Sequence, residues 1–244
     1  MQTMTKFRQK CSECPIRHRA VCARCDDSEF VTLESIKTYK SFAAGDPILR
    51  RGDPMTYVAS VVEGVATLNK TMEDGRTQMV GMLFASDFIG RPGRAEIDFD
   101  VIAITDVTLC CFRREPFNRL IETTPHISQR LMEMALDELD AARDWMVLLG
   151  RKTAREKIAT FVEMLVRRQH MQAAAHPETT LVLPLTRDEI ADYIGLTLET
   201  VSRQLNAMKK EGILTFTGRR QFEVIDLGAL HIATGDDEDG GPIY

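Results

Sequence analysis

Near Thr124 the period of the apolar residues changes, and that change divides the chain. Upstream, from about Phe30 to Phe112, segments are short and alternating. They are punctuated by Gly45-Asp46-Pro47, Gly52-Asp53-Pro54, Glu63-Gly64 and Asp74-Gly75. SFAAGDPILRRGDP, YVASVVEGVATLNK, TQMVGMLF and DVIAITDVTLCCF read as strands, with Asp74-Gly75 a hairpin signal. Many short strands at regular spacing predict an antiparallel roll or barrel. Downstream, Met132, Ala135, Leu139, Ala142, Met146 and Leu149 are spaced 3-4-3-4-3, the seam of a heptad helix. Leu131, Met134, Trp145 and Leu148 form a second apolar stripe. Two stripes predict a helix that buries one against its own domain and offers the other to a partner, with Gly150 as its stop. A single broad core stripe in a monomer is the competing reading.

The next segment is punctuated by helix caps. Thr186-Arg187-Asp188-Glu189 is a capping box, Gly195 ends the short helix, Thr197 caps a second one, and Gly212 stops it. Helix, tight turn and helix form the helix-turn-helix pattern. On the second helix Val201, Leu205 and Met208 point inward, while Glu199, Ser202, Arg203 and Asn206 share the outer face. Arg203 can give two hydrogen bonds to a guanine, and Glu199 can accept from a cytosine amino group. Ile213 to Phe216 and Gln221 to Ile225 predict a hairpin wing, with Arg219 and Arg220 at its tip to suit phosphates. The competing reading is a surface helix with a solvated charged face.

Six cysteines remain. Cys11, Cys14, Cys22 and Cys25 crowd one short stretch, and Cys110 and Cys111 are adjacent. No apolar run reaches membrane-spanning length, and the N-terminal residues have no apolar signal region, so the expected compartment is the cytoplasm. Thiols stay reduced there, and their crowding points to metal or redox chemistry. Two Cys-x-x-Cys pairs suit either a four-thiolate zinc or an iron–sulfur cluster, and spacing leaves both open. Net charge is −5, so DNA binding would need a local surface rather than bulk charge. The chain has no Ser-His-Asp set, Gly-rich phosphate loop or His-Glu-x-x-His helix, and catalysis is not expected. His18, His126, His170, His176 and His231 are scattered and read as structural or exposed.

GLTLETVSRQL resembles the recognition segment of the CRP/FNR superfamily, and Glu199, Ser202 and Arg203 resemble its FNR branch. The CRP branch has Arg where this chain has Leu198, and Gly where it has Ser202. The resemblance covers nearly the whole chain. It implies an α+β architecture: an N-terminal antiparallel β-roll like cyclic-nucleotide-binding domains, a long dimerisation helix and a C-terminal winged helix-turn-helix. The expected boundaries are a cysteine-rich cluster-binding segment over 1–28, the roll over 29–122 and the dimer helix over 123–150. The DNA-binding domain would span 151–233 and a disordered acidic tail 234–244. The resemblance further implies a homodimer on double-stranded DNA at two-fold sites of the type TTGAT-N4-ATCAA. It also implies contact with RNA polymerase through the loop Ala85-Ser86-Asp87-Phe88.

The FNR branch is similar in holding a [4Fe–4S] cluster with three N-terminal cysteines and one distant one. The spacing of Cys11, Cys14 and Cys22 resembles its FnrL/FnrN version. Register from Leu120 and Pro125 implies Cys110 as the distant ligand, with Cys111 on the other face of its strand. Cys25 and Cys111 are the alternates, and a structural zinc in a small-effector regulator is the alternative cofactor. In CRP-like rolls a Gly-Glu pair holds the ribose of cyclic AMP. Here Arg91 follows Gly90, and Glu96 to Asp100 is acidic, so no cyclic nucleotide is expected. A relative with a defined monomer–dimer switch has Asp where this chain has Ala142. The expectation is therefore a dimer that outlasts the cluster.

Overall fold

The computed structural model describes residues 10–172, 180–218 and 220–236. Contacts divide the chain into two units, Met1–Leu136 and Asp137–Tyr244.

The first unit opens with a 3₁₀ turn at Cys11–Glu13, followed by α1 (Asp27–Ile36). Sequence reading began strands near Phe30. Instead Asp26 and Glu29 form a reciprocal capping box that starts a helix. Eight strands follow: β1 (Lys37–Phe42), β2 (Pro47–Leu49), β3 (Tyr57–Glu63), β4 (Ala66–Thr71), β5 (Thr77–Leu83), β6 (Phe88–Ile89), β7 (Asp100–Ala103) and β8 (Val107–Arg113). They make two antiparallel sheets, ordered β1-β8-β3-β6 and β2-β7-β4-β5. Side chains alternate along each strand, and the inner faces bury Val61, Val101, Ala103 and Leu109. Gly64 turns β3 into β4 at φ 90°, where a Cβ would run into the Asp106 carbonyl. This is the expected roll.

α2 (Arg114–Thr123) leads to α3 (Pro125–Arg151), 27 residues long. Gly150 does not stop α3; the helix passes it by one residue. Leu131 and Met134 pack against the roll core and Leu148 is buried. Met132, Ala135, Leu139, Ala142, Met146 and Leu149 are all exposed.

The second unit contains α4 (Ala154–Gln172), β9 (Thr180–Val182), α5 (Arg187–Ile194), α6 (Leu198–Lys210), β10 (Leu214–Phe216), β11 (Gln221–Val224) and α7 (Leu227–Thr234). Its sheet runs β10-β11-β9. Phe161, Leu165, Ile190, Ile194, Val201, Leu205, Phe222 and Leu230 form its core. The lone tryptophan, Trp145, stacks on Tyr193 at 4.2 Å between centroids. The expected disordered tail begins too early. Thr234 is buried at the end of α7, and Asp236 accepts from Lys152 Nζ at 2.7 Å. Asp226 caps α7 by accepting from the Ala229 N–H, and Gly235 closes it in the left-handed conformation. The rest of that tail, 237–244, lies outside the described residues.

Candidate cysteine centre and DNA-reading helix

Each Cys-x-x-Cys pair is folded by a turn. The Cys14 N–H donates to the Cys11 carbonyl at 3.4 Å, and the Cys25 N–H to the Cys22 carbonyl at 3.1 Å. Between the pairs Ile16, Ala20 and Val21 plug into the roll core. Burying an aliphatic side chain is worth roughly 1.5–3 kcal/mol, so these residues hold the loop against the sheet. Glu34, on α1, accepts from the Cys11 N–H at 3.3 Å, and Lys37 Nζ lies 3.2 Å from the Cys11 sulfur.

One cavity between this loop and the sheet is lined by Cys11, Cys14, Cys22 and Cys110, with Ile16, Ala20, Leu33, Phe112, Tyr39 and Ser60 around them. Cys25 and Cys111 are not in its lining. Cys110 sits in β8 between Tyr39 of β1 and Ser60 of β3. Strand alternation turns Cys111 to the opposite face, where it is 1% exposed. Burial raises the Cys110 thiol well above its ordinary range, and the nearby Cys14 and Cys22 add to it. Burial also pushes Cys22 up to about 12, with Cys14 and Cys11 reinforcing the rise. For Cys111 burial alone raises the thiol, to about 12, and no cysteine contributes. Four thiols therefore face one another across one space, and any metal entering must displace their protons.

The loop is fastened to α3. Arg130 donates to the Arg19 carbonyl, Arg24 pairs with Glu133 at 2.7 Å, and His126 meets Glu29 at 3.0 Å. His126, Arg130 and Glu133 are i, i+4 and i+7, one face of the helix. Ligand atoms of Asp26, Glu29 and His126 lie within 4.8 Å of one another, but these groups are already engaged in the α1 cap and the ion pair.

The second site is α6. Thr186 and Glu189 form the expected capping box, Gly195 closes α5 at φ 64°, and Thr197 caps α6 by accepting from the Thr200 N–H. Val201, Leu205 and Met208 are buried. Glu199, Arg203 and Asn206 are exposed and Ser202 is half-buried. Glu199 accepts from its own N–H and from Thr197, which hold its carboxyl below the usual range. At neutral pH it is an ionised acceptor. The Arg155 guanidinium grips Glu211, tying the end of α6 to α4.

Arg220 lies between β10 and β11 and is exposed. Its guanidinium donates to the Pro184 carbonyl and lies 3.9 Å from Glu189. It is thus engaged with the domain while exposed on the wing. Arg219 lies outside the described residues. Sequence reading missed Arg187, which reaches Ser202 Oγ at 3.4 Å and lies over the Phe216 ring. Its place inside a capping box was the available signal, but that motif reads as punctuation.

A Crp-like helix-turn-helix domain matches residues 156–231, and a cyclic nucleotide-binding domain matches 39–124. The chain is 57% identical over 235 residues to the transcriptional activator protein FnrL of Cereibacter sphaeroides, covering 95% of this chain and 94% of that one. The chain belongs to the CRP/FNR family of transcription regulators. It is 40% identical over 204 residues to the nitrogen fixation regulation protein FixK of Bradyrhizobium diazoefficiens, covering 84% and 85% of the two chains. The solved structure of FixK2 from Bradyrhizobium japonicum superposes with a TM-score of 0.73 at 33% identity. It covers 81% of this chain and 97% of that one. As a family member the chain is a DNA-binding regulator, and its relatives are regulators rather than enzymes. No helix among the described residues is long and apolar enough to cross a membrane.

Proposed function

We propose that this chain is a cytoplasmic, oxygen-responsive transcriptional activator. It binds TTGAT-N4-ATCAA-type sites as a homodimer while a [4Fe–4S] cluster is held by Cys11, Cys14, Cys22 and Cys110. The observation that carries the reading is the convergence of those four sulfurs on one cavity, with Cys25 and Cys111 outside its lining. The donor set fits: four soft thiolates in an apolar, buried setting suit iron–sulfur chemistry. The cluster supplies an oxygen-labile bond between the loop and β8.

This chain's residues do the rest. While Cys110 and the loop are joined, Arg19, Arg24 and Glu29 keep their partners on α3. Releasing the loop weakens those contacts and shifts the equilibrium of the helix between two arrangements. The helix carries an apolar seam suited to a second copy: Met132 is 62% and Met146 72% exposed. Arg203 and Glu199 then read bases from the first turns of α6. The loop at 85–88 holds Ser86 at φ 82°, a shaped turn for RNA polymerase. The roll acts as scaffold without cyclic nucleotide. Arg94 pairs with Asp98, and Asp100 accepts from the Arg51 N–H, which leaves an acidic turn where a phosphate would need cations.

The test is anaerobic reconstitution followed by visible spectroscopy and iron and sulfide analysis. A brown protein with matched iron and sulfide is expected, lost in Cys110→Ala and kept in Cys111→Ala. Colourless protein with one zinc per chain would overturn the reading.

A further inference from the structure

We propose that Ser60 is a positioning residue for the cysteine centre: its hydroxyl would donate a hydrogen bond to a sulfur of the cluster held at Cys110 and so raise the reduction potential of that cluster. The inference rests on the cluster reading above.

Ser60 is 1% exposed, and its Oγ has no hydrogen-bond partner among the described residues. The roll's other deeply buried polar side chains are different. Asn69 donates to Thr67 Oγ1 at 3.0 Å, and Thr67 reaches the Ile102 carbonyl. A buried hydroxyl left unpaired costs free energy, and an alanine would fill the same space without that cost. The hydroxyl is therefore best explained by a partner that arrives with the ligand.

Its location says which one. Ser60 of β3 is the register partner of Cys110 of β8, and both line the same cavity. Directly opposite residues on one sheet face have Cβ atoms about 4.5–5.5 Å apart, so the hydroxyl sits beside whatever Cys110 would hold. Much of the remaining wall is apolar: Ile16, Ala20, Leu33 and Phe112. A hydrogen bond to a cluster sulfur withdraws electron density from it, and such bonds help set cluster potentials. Lys37 Nζ serves the Cys11 sulfur at the other side of the centre, and Ser60 is the hydroxyl placed opposite Cys110.

The full chain, wild type and Ser60→Ala, is reconstituted anaerobically, assayed for iron and sulfide, and titrated electrochemically. The expected result is a fully loaded variant whose midpoint potential is more negative than that of the wild type. Exchange into D₂O should shift the Fe–S stretching band of the wild type and leave the variant unmoved. Cluster-free Ser60→Ala should melt no lower than cluster-free wild type, because it removes an unpaired group. If the variant fails to load while its cluster-free form melts normally, the hydroxyl is a requirement for assembly rather than a tuner of potential, and the proposal is overturned. A loaded variant with unchanged potential overturns it. So does a lower cluster-free melting temperature, which would reveal a structural partner such as a buried water. Wild type without iron and sulfide would sink the cluster reading itself, a separate outcome.

Discussion

Arg130 donates through Nη2 to the backbone carbonyl of Arg19 at 2.7 Å, joining the cysteine loop to the first turns of α3. A charge-assisted bond of this kind is worth about 1.5–3 kcal/mol. The flanking Arg24–Glu133 pair is half-exposed and worth about 0.2–1 kcal/mol. Arg130→Ala should therefore leave iron and sulfide content intact while narrowing the ratio of anaerobic to aerobic DNA affinity. Arg24→Ala should narrow it less. Anisotropy on one duplex at fixed salt measures both, and an unchanged ratio in Arg130→Ala would show that this face of α3 transmits nothing.

The seam carries no charge at its middle position, Ala142, which is exposed with its neighbours. Aerobic, cluster-free protein should therefore sediment as a dimer at micromolar concentration. Ala142→Asp should drive it toward monomer, because two carboxylates would meet across the seam. A clean monomer for the wild type would contradict this.

Base reading should divide by residue along α6. Losing Arg203 should cost about 1–3 kcal/mol and relax preference at one base pair. Replacing Leu198 with Arg and Ser202 with Gly should move preference from TTGAT toward TGTGA half-sites. The Gly also removes the acceptor that Arg187 now reaches. Arg220→Ala should lower the melting temperature of the second unit, since its guanidinium serves the Pro184 carbonyl. Arg219→Ala should mainly flatten the salt dependence of binding.

Burial raises the Tyr193 phenol well above its ordinary value, and Arg168 opposes the rise only in part. A group whose folded pKa is raised contributes stability below its unfolded pKa and loses it as pH climbs past that point. For tyrosine the unfolded value is about 10. Stability of the second unit should fall as pH rises above this, and Tyr193→Phe should flatten that limb. Trp145, stacked on the ring, gives the fluorescence signal for the melt. Parallel alkaline limbs in both proteins would refute the assignment.

What could be read in the sequence was what is encoded locally. Thr186, Glu189, Gly195 and Thr197 each act within four residues, so both helices of the DNA-reading pair were legible. Strand alternation told that Cys110 and Cys111 face apart, but register across three strands was needed to place Cys110 between Tyr39 and Ser60. The Asp26–Glu29 box has the same local form and was overlooked beside the cysteines. Arg130–Arg19 and the unpaired Ser60 hydroxyl could not be read at all. Both depend on how distant segments pack, and neither residue type is unusual where it stands.

Cys110 lies on a strand hydrogen-bonded on both sides, by β1 and by β3. The other three cysteines of the cavity leave the ribosome long before it does. At roughly 5–20 residues per second, several seconds of synthesis separate them. During that interval the nascent chain displays an incomplete set of the cavity's thiols. Completion waits for β8 to slot between its neighbours. The fourth thiol of the cavity is therefore in place only once β8 has paired in register with β1 and β3.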